Sequence, residues 1–252
     1  MLKKQLLLER LERIGQSLSQ RKTALALLSL GSVGLETNRL DEYSDLDFFV
    51  LCENGAQEQF LTDVSWLSDV HPIAFIHRNT KDGYKVLYED GVFCEFAIFD
   101  IGVLDDIAFS KGRLIWKREG FDEGLCIPKQ VPPLKTVDIQ FCVDEALTNL
   151  YVGLCRYHRG EKLSAHEFIV IFARDHVLNL ITMLETPEDV VRDEFTILRR
   201  FEFRYPKYVS LLSEIVVDYD DIPKAAAVIL AFLDEHFKVN AKMKETILKM
   251  CH

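Results

Sequence analysis

Residues 23–30, Thr-Ala-Leu-Ala-Leu-Leu-Ser-Leu, form a nearly unbroken apolar run that stops at Gly31-Ser32. Apolar residues at consecutive positions suit a strand buried on both faces, so the fold must supply a layer of structure on each side of it. Before the run, Leu2, Leu6, Leu7, Leu11, Ile14 and Leu18 recur at three-four spacing, which predicts an amphipathic helix over 2–18. After it, Asp45–Cys52 reads as a second strand, with Asp45, Asp47, Phe49 and Leu51 on one face and Leu46, Phe48 and Val50 on the other. Residues 58–68 look helical and Ile73–Arg78 reads as a short strand. Tyr84–Tyr88 and Val92–Phe99 flank Glu89-Asp90-Gly91, a hairpin signal.

The pattern changes at Pro128-Lys-Gln-Val-Pro-Pro133, which can continue neither a helix nor a sheet interior. Beyond it, residues 136–159, 164–184, 187–203, 208–215 and 223–250 carry helical periodicity, with a Ser164-x-x-Glu167 capping-box pattern. The expected architecture is α+β, with a mixed-sheet domain over 1–130 and an all-helical domain over 131–252.

Thirty basic against forty acidic residues leave a formal charge of −10, which argues against non-specific binding to nucleic acid or an anionic membrane. With 48% hydrophobic and 28% charged residues the chain can build a core. No apolar run approaches the ~20 residues of a membrane span, and charges interrupt the N-terminal leucines as no signal peptide allows, so a cytoplasmic protein is expected. The six cysteines are scattered without metal-ligand spacing and read as buried, reduced thiols.

The chemistry concentrates at Ser29-Leu-Gly31-Ser32 and, after twelve intervening residues, at Asp45-Leu-Asp47-Phe-Phe. Gly31 permits a sharp turn close to a ligand, and Ser32 adds a hydroxyl and exposed amides suited to a phosphate. Two carboxylates two positions apart on a strand repel unless a cation lies between them. Magnesium is the natural cation, since it accepts one or two protein carboxylates and fills its shell with phosphate oxygens and water. Glu95, an acid within the apolar Cys94–Ile98 stretch with Ala97 on the same face, is costly to bury without such a partner.

Together Gly31, Ser32, Asp45 and Asp47 resemble the signature of the nucleotidyltransferase superfamily related in fold to DNA polymerase beta. The Tyr43-Ser-Asp-Leu-Asp-Phe48 form and the helical second half look like its lincosamide and aminoglycoside nucleotidyltransferases. Arg159-Gly160-Glu161, after a long helix, resembles a turn joining two bundle helices there. The resemblance implies an enzyme that moves a nucleoside monophosphate, with ATP as the expected donor and Mg2+ as cofactor, to a hydroxyl of a small molecule such as an antibiotic. It implies that Asp45 and Asp47 hold the metal, that Gly31 and Ser32 hold the outer phosphates, and that Glu95 either completes the metal site or takes the hydroxyl's proton. It places the acceptor under the helical half, and extends to a homodimer, because several relatives build their site across one. A protein hydroxyl as acceptor, or a non-catalytic nucleotide-binding or dimerisation module, are the alternatives.

One departure stands out. Many relatives carry a basic residue soon after the Gly-Ser pair, whereas Val33-Gly-Leu-Glu36 is neutral and then acidic, with Arg39 the nearest cation. Arg78, Lys81, Lys85 and Arg113 are substitutes that read first as solvated surface charges. His158, His166 and His176 have no metal-binding spacing. Glu145 and Asn149 read as a helix-surface pair, and Phe195, Phe201, Phe203 and Tyr205 as core aromatics.

Overall fold

The computed structural model describes residues 3–130 and 137–252, which form two compact units, Met1–Pro132 and Pro133–His252. Leu2 of the first apolar stripe and residues 131–136 of the expected boundary lie outside the described residues.

The first unit is a six-stranded mixed sheet in the order β3-β4-β5-β2-β1-β6. Its strands are β1 (Ala24–Ser29), β2 (Leu46–Cys52), β3 (Ile73–His77), β4 (Gly83–Tyr88), β5 (Phe93–Asp100) and β6 (Arg113–Lys117). All neighbours are antiparallel except β2 and β5, which run parallel at the centre. The apolar run is buried on both faces, as expected. Leu27 joins a core with Phe48, Val50, Phe96, Ile98 and Trp66, while Ala26 and Leu28 join a second core with Leu51, Phe99, Leu104 and Phe109. Helix α1 (Lys3–Ser19) lies against β1 and β6 and buries Leu7, Leu11, Ile14 and Leu18 completely. At ~1.5–3 kcal/mol for each such side chain, this stripe anchors the first core.

The expected helix over 58–68 is two short ones, α2 (Gln57–Thr62) and α3 (Ser65–Ser68). Asp63 interrupts them by accepting the Ser65 amide, which gives that amide a partner outside a helix. Strand β6 was not expected at all.

Arg10 lies on α1, yet only 2% of it is exposed. Its guanidinium pairs with Asp90 at the β4–β5 turn and lies 4.4 Å from the centre of the Tyr88 ring, while Nε and Nη1 are buried without a partner. Burial works against the charge on Asp90. The hydrogen bonds from Arg10 and the Val92 amide and the charges of Arg10 and His71 outweigh it and hold this carboxyl below its ordinary range.

The second unit is helical: α4 (Ile139–His158), α5 (Lys162–His166), α6 (Arg174–Leu184), α7 (Phe201–Arg204), α8 (Val209–Ile215), α9 (Ile222–His236) and α10 (Ala241–Met250). The α5 and α6 segments are one continuous helix with a π-helical stretch, Glu167–Ala173, between them. Ser164 does not cap it, because the helix already begins at Lys162 and the Ser164 hydroxyl accepts from Arg156 Nη1 at 3.0 Å. The helix expected over 187–203 is reduced to its last turn. Asp193 accepts the amides of Phe195 and Thr196, and Arg200 takes the left-handed conformation at φ 63°, so no helical ladder forms. Phe201 and Tyr205 are core, but Phe195 and Phe203 are 54% and 71% exposed, so the core reading fails for those two. The stretch over 223–250 is divided at Asn240, whose side chain accepts from the amides of Lys242 and Met243 and starts α10.

Asp90→Asn leaves the Arg10 guanidinium buried without a counter-charge, and urea unfolding should show a loss of about 3 kcal/mol, with the Arg10→Met/Asp90→Asn double variant losing less. Because the Asp90 pKa is depressed in the folded state, its contribution is present above the ordinary carboxylate value and is lost as pH falls through the folded value. The wild type should therefore lose stability below about pH 4, and Asp90→Asn should remove that component.

Candidate functional site

The Gly31-Ser32 turn is a single 3-10 turn, Gly31–Val33, directly after β1. Gly31 sits at φ 54°, a left-handed conformation that costs other L-residues ~1–2 kcal/mol. At Gly34 a Cβ would come within 2.8 Å of the Ser29 carbonyl oxygen, so the chain doubles back at a separation only glycine allows. The fully buried Ser29 hydroxyl lies 3.0 Å from the carbonyl oxygens of both Val33 and Arg113. Arg113 in turn donates from Nε to Gly34 O at 3.2 Å and from Nη2 to Val33 O at 3.0 Å. The Leu30 amide donates to Asp47 O at 2.8 Å, which ties the turn to β2.

Asp47 lies within β2, and Asp45 stands one residue ahead of it. The parallel register sets Asp47 directly opposite Glu95 of β5. Residues paired across strands share a face, so these two carboxylates project from the same side of the sheet. A Cβ on Gly31 would lie 3.6 Å from Asp47 Oδ2, so the bend of the turn and this carboxylate adjoin. Asp45 belongs to the same neighbourhood. Burial pushes the Cys94 thiol, on the opposite face of β5, well above its ordinary pKa; Arg10 opposes this, and the charges of Asp45 and Asp47 add to it.

The row continues to the sheet edge. Lys85 of β4 is the register partner of Glu95, and His77 of β3 is the partner of Lys85. Lys85 Nζ lies 3.2 Å from Glu95 Oε2, and Asn79 Nδ2 donates to Glu95 Oε1 at 3.1 Å. Both oxygens of Glu95 are thus engaged. On the same face one step further along the strands, Phe49 pairs with Ala97 and Ala97 with Gly83. Phe49 packs edge-on to Phe99 and Phe109 at 5.0 and 5.6 Å. A polar row therefore borders an apolar patch that roofs the rest of this face.

The missing cation after the Gly-Ser pair has a structural counterpart. Arg39 pairs with Glu36, Arg113 is committed to the carbonyls of the turn, and Arg78 reaches the Lys81 carbonyl and the Tyr84 ring. Among the substitutes named from sequence, Lys85 stands in the carboxylate row, half-buried, where a solvated surface charge was expected. Asn79 had no signal in the sequence. Gly31, Ser32, Asp45, Asp47 and Glu95 all belong to this corner of the first unit. Glu145 and Asn149 lie on α4 in the second unit; Asn149 is 8% exposed, more deeply buried than a helix-surface pair allows.

Among the described residues, no three His, Cys, Asp or Glu side chains are gathered as metal ligands. No helix among the described residues is long and apolar enough to cross a membrane.

No family model and no curated protein matches this chain. Among solved structures it is similar to an aminoglycoside 6-adenyltransferase from Bacillus subtilis, at 13% identity over 94% of this chain and 89% of that one, with a TM-score of 0.34. At so loose a superposition, the chemistry of this corner rests on its own residues.

Proposed function

We propose that this chain is a nucleotidyltransferase that moves a nucleoside monophosphate from a nucleoside triphosphate to a hydroxyl of a small molecule and releases pyrophosphate. The observation that carries the reading is the register of Asp47 opposite Glu95, with the Gly31 bend against Asp47. A glycine bend for phosphates and adjacent carboxylates on an open sheet face are the components that phosphoryl transfer asks for.

Asp45 and Asp47 would hold a magnesium ion, which when bound supplies positive charge against the transferring phosphoryl group. Gly31 and Ser32 receive the outer phosphates through backbone amides and the Ser32 hydroxyl. The acceptor oxygen bonds to the α-phosphorus as the bridge to the β-phosphate breaks, and the bond electrons leave with pyrophosphate. The hydroxyl proton passes to a carboxylate or to water, and Glu95 is the carboxylate beside Asp47. ATP is the donor of first choice. The chain's charge of −10 suits a cationic acceptor, so aminoglycosides and then lincosamides are the classes to test.

Purified protein with magnesium, ATP and a panel of these acceptors should release pyrophosphate, and Asp47→Asn should lower the rate by at least about a hundredfold. Turnover unaffected by that substitution would refute the assignment. Nucleotide labelling of lysate proteins without small-molecule turnover would instead select a protein hydroxyl as acceptor. Nucleotide binding with no pyrophosphate release would select a non-catalytic module.

Gly31→Ala places a side chain at φ 54° and should cost about 1 kcal/mol in urea unfolding. Because it distorts the phosphate turn and leaves the carboxylates in place, steady-state kinetics should show the KM for ATP rising more than kcat falls.

A further inference from the structure

Among the described residues three charged ones are nearly out of water: Arg10, Asp193 and Arg204, the last 7% exposed. Arg10 has Asp90, and Asp193 has Arg199 at 3.0 Å and Arg200 at 4.0 Å. Arg204, the last residue of α7, has no carboxylate partner among the described residues. Its Nε is buried without a hydrogen bond, and its one side-chain hydrogen bond there runs from Nη2 to the Tyr205 hydroxyl at a long 3.4 Å. Neighbouring charges are committed or turned outward: Lys207 pairs with Glu185, while Glu188 and Glu202 are exposed. The Tyr205 ring, centred 5.1 Å from the guanidinium, offsets part of the desolvation cost, but a ring does not replace a counter-ion. A buried lysine or glutamate escapes that cost by neutralising itself, whereas an arginine stays protonated. The charge is therefore permanent and unmatched, lying on the Phe201–Tyr205 ring pair of the second core.

We propose that Arg204 and the Tyr205 hydroxyl form a carboxylate-binding site in the second unit, on residues that the proposed transfer does not use. The sealed Nε and the ring-covered face leave the Nη edge of the guanidinium for a ligand. One oxygen of a carboxylate meets that edge, and the other takes the Tyr205 proton, which the bond from Nη2 leaves free. One fixed cation and one hydroxyl match a single negative charge on two oxygens. A phosphate monoester brings close to two charges and three acceptor oxygens, more than these donors satisfy. The carboxylate belongs to a small organic acid or to an acidic peptide, and the chemistry recognised is the same.

The test is an anion titration of the nucleotide-free full chain at constant ionic strength, read from the NMR amide signals of residues 201–205, with no dependence on turnover. Sodium acetate and a capped Ala-Glu-Ala peptide should each shift these signals saturably. Arg204→Leu should abolish the response, and Arg204→Lys, which keeps the charge but loses the fork, should bind about tenfold more weakly. Tyr205→Phe should weaken binding several-fold, and it carries the comparison if Arg204→Leu does not fold. A peptide that binds more than about tenfold tighter than acetate identifies a peptide ligand; equal binding identifies a small acid. Sodium phosphate acting at lower concentration than acetate, or sodium chloride acting as well as acetate, would overturn the carboxylate assignment. Signals that no anion moves, or a response that survives both Arg204→Lys and Tyr205→Phe unchanged, would remove the site altogether. Each of these failures leaves the reading of the first unit untouched.

Discussion

The parallel pairing of β2 with β5 is the contact on which the candidate site depends. It joins two strands more than forty residues apart in sequence at the centre of an otherwise antiparallel sheet, and it sets Asp47 opposite Glu95. A shift of one residue in that register would send one carboxylate into the core beneath α1, where Phe48 and Phe96 stack at 5.1 Å. The register is held by that core: Leu46, Phe48 and Val50 of β2 lie beside Cys94, Phe96 and Ile98 of β5, all buried on one face. Hydrophobic burial on the closed face therefore aligns charge on the open one.

The same sheet shows two ways of carrying charge. At its far turn, Arg10 and Asp90 face each other with Arg10 almost fully out of water, an arrangement that constrains α1 against the β4–β5 hairpin and costs desolvation. In the carboxylate row, Lys85 and Glu95 remain roughly 40% exposed, so their attraction is screened and weak. A weak pair can exchange partners when a ligand arrives, whereas a buried one cannot without unfolding its surroundings. That difference separates a structural charge pair from one available to chemistry.

Which parts of this were legible follows from which interactions are local. The hairpin was legible because Asp90-Gly91 fixes its own turn, and the Tyr88 amide bonds to the Val92 carbonyl as that turn requires. Counting outward from it places Lys85 opposite Glu95, so the ion pair lay within reach of the sequence. The burial of Arg10 was not legible, because a charge on an amphipathic helix is ordinarily solvated and only the approach of Tyr88 and Asp90 reverses that. The helix over 187–203 was overestimated because periodicity does not register a side chain such as Asp193 competing for backbone amides.

The amino-acid order alone determined the doubly buried first strand, the glycine bend after it, the acidic pair that follows and the change from mixed sheet to helices, since each is written in neighbouring residues and their period. It could not determine that β2 and β5 run side by side in parallel, that Asn79 folds back onto Glu95, or that Ser29 and Arg113 lock the bend from beneath. Those contacts join residues far apart along the chain, and nothing short of packing the whole sheet fixes the distance between them.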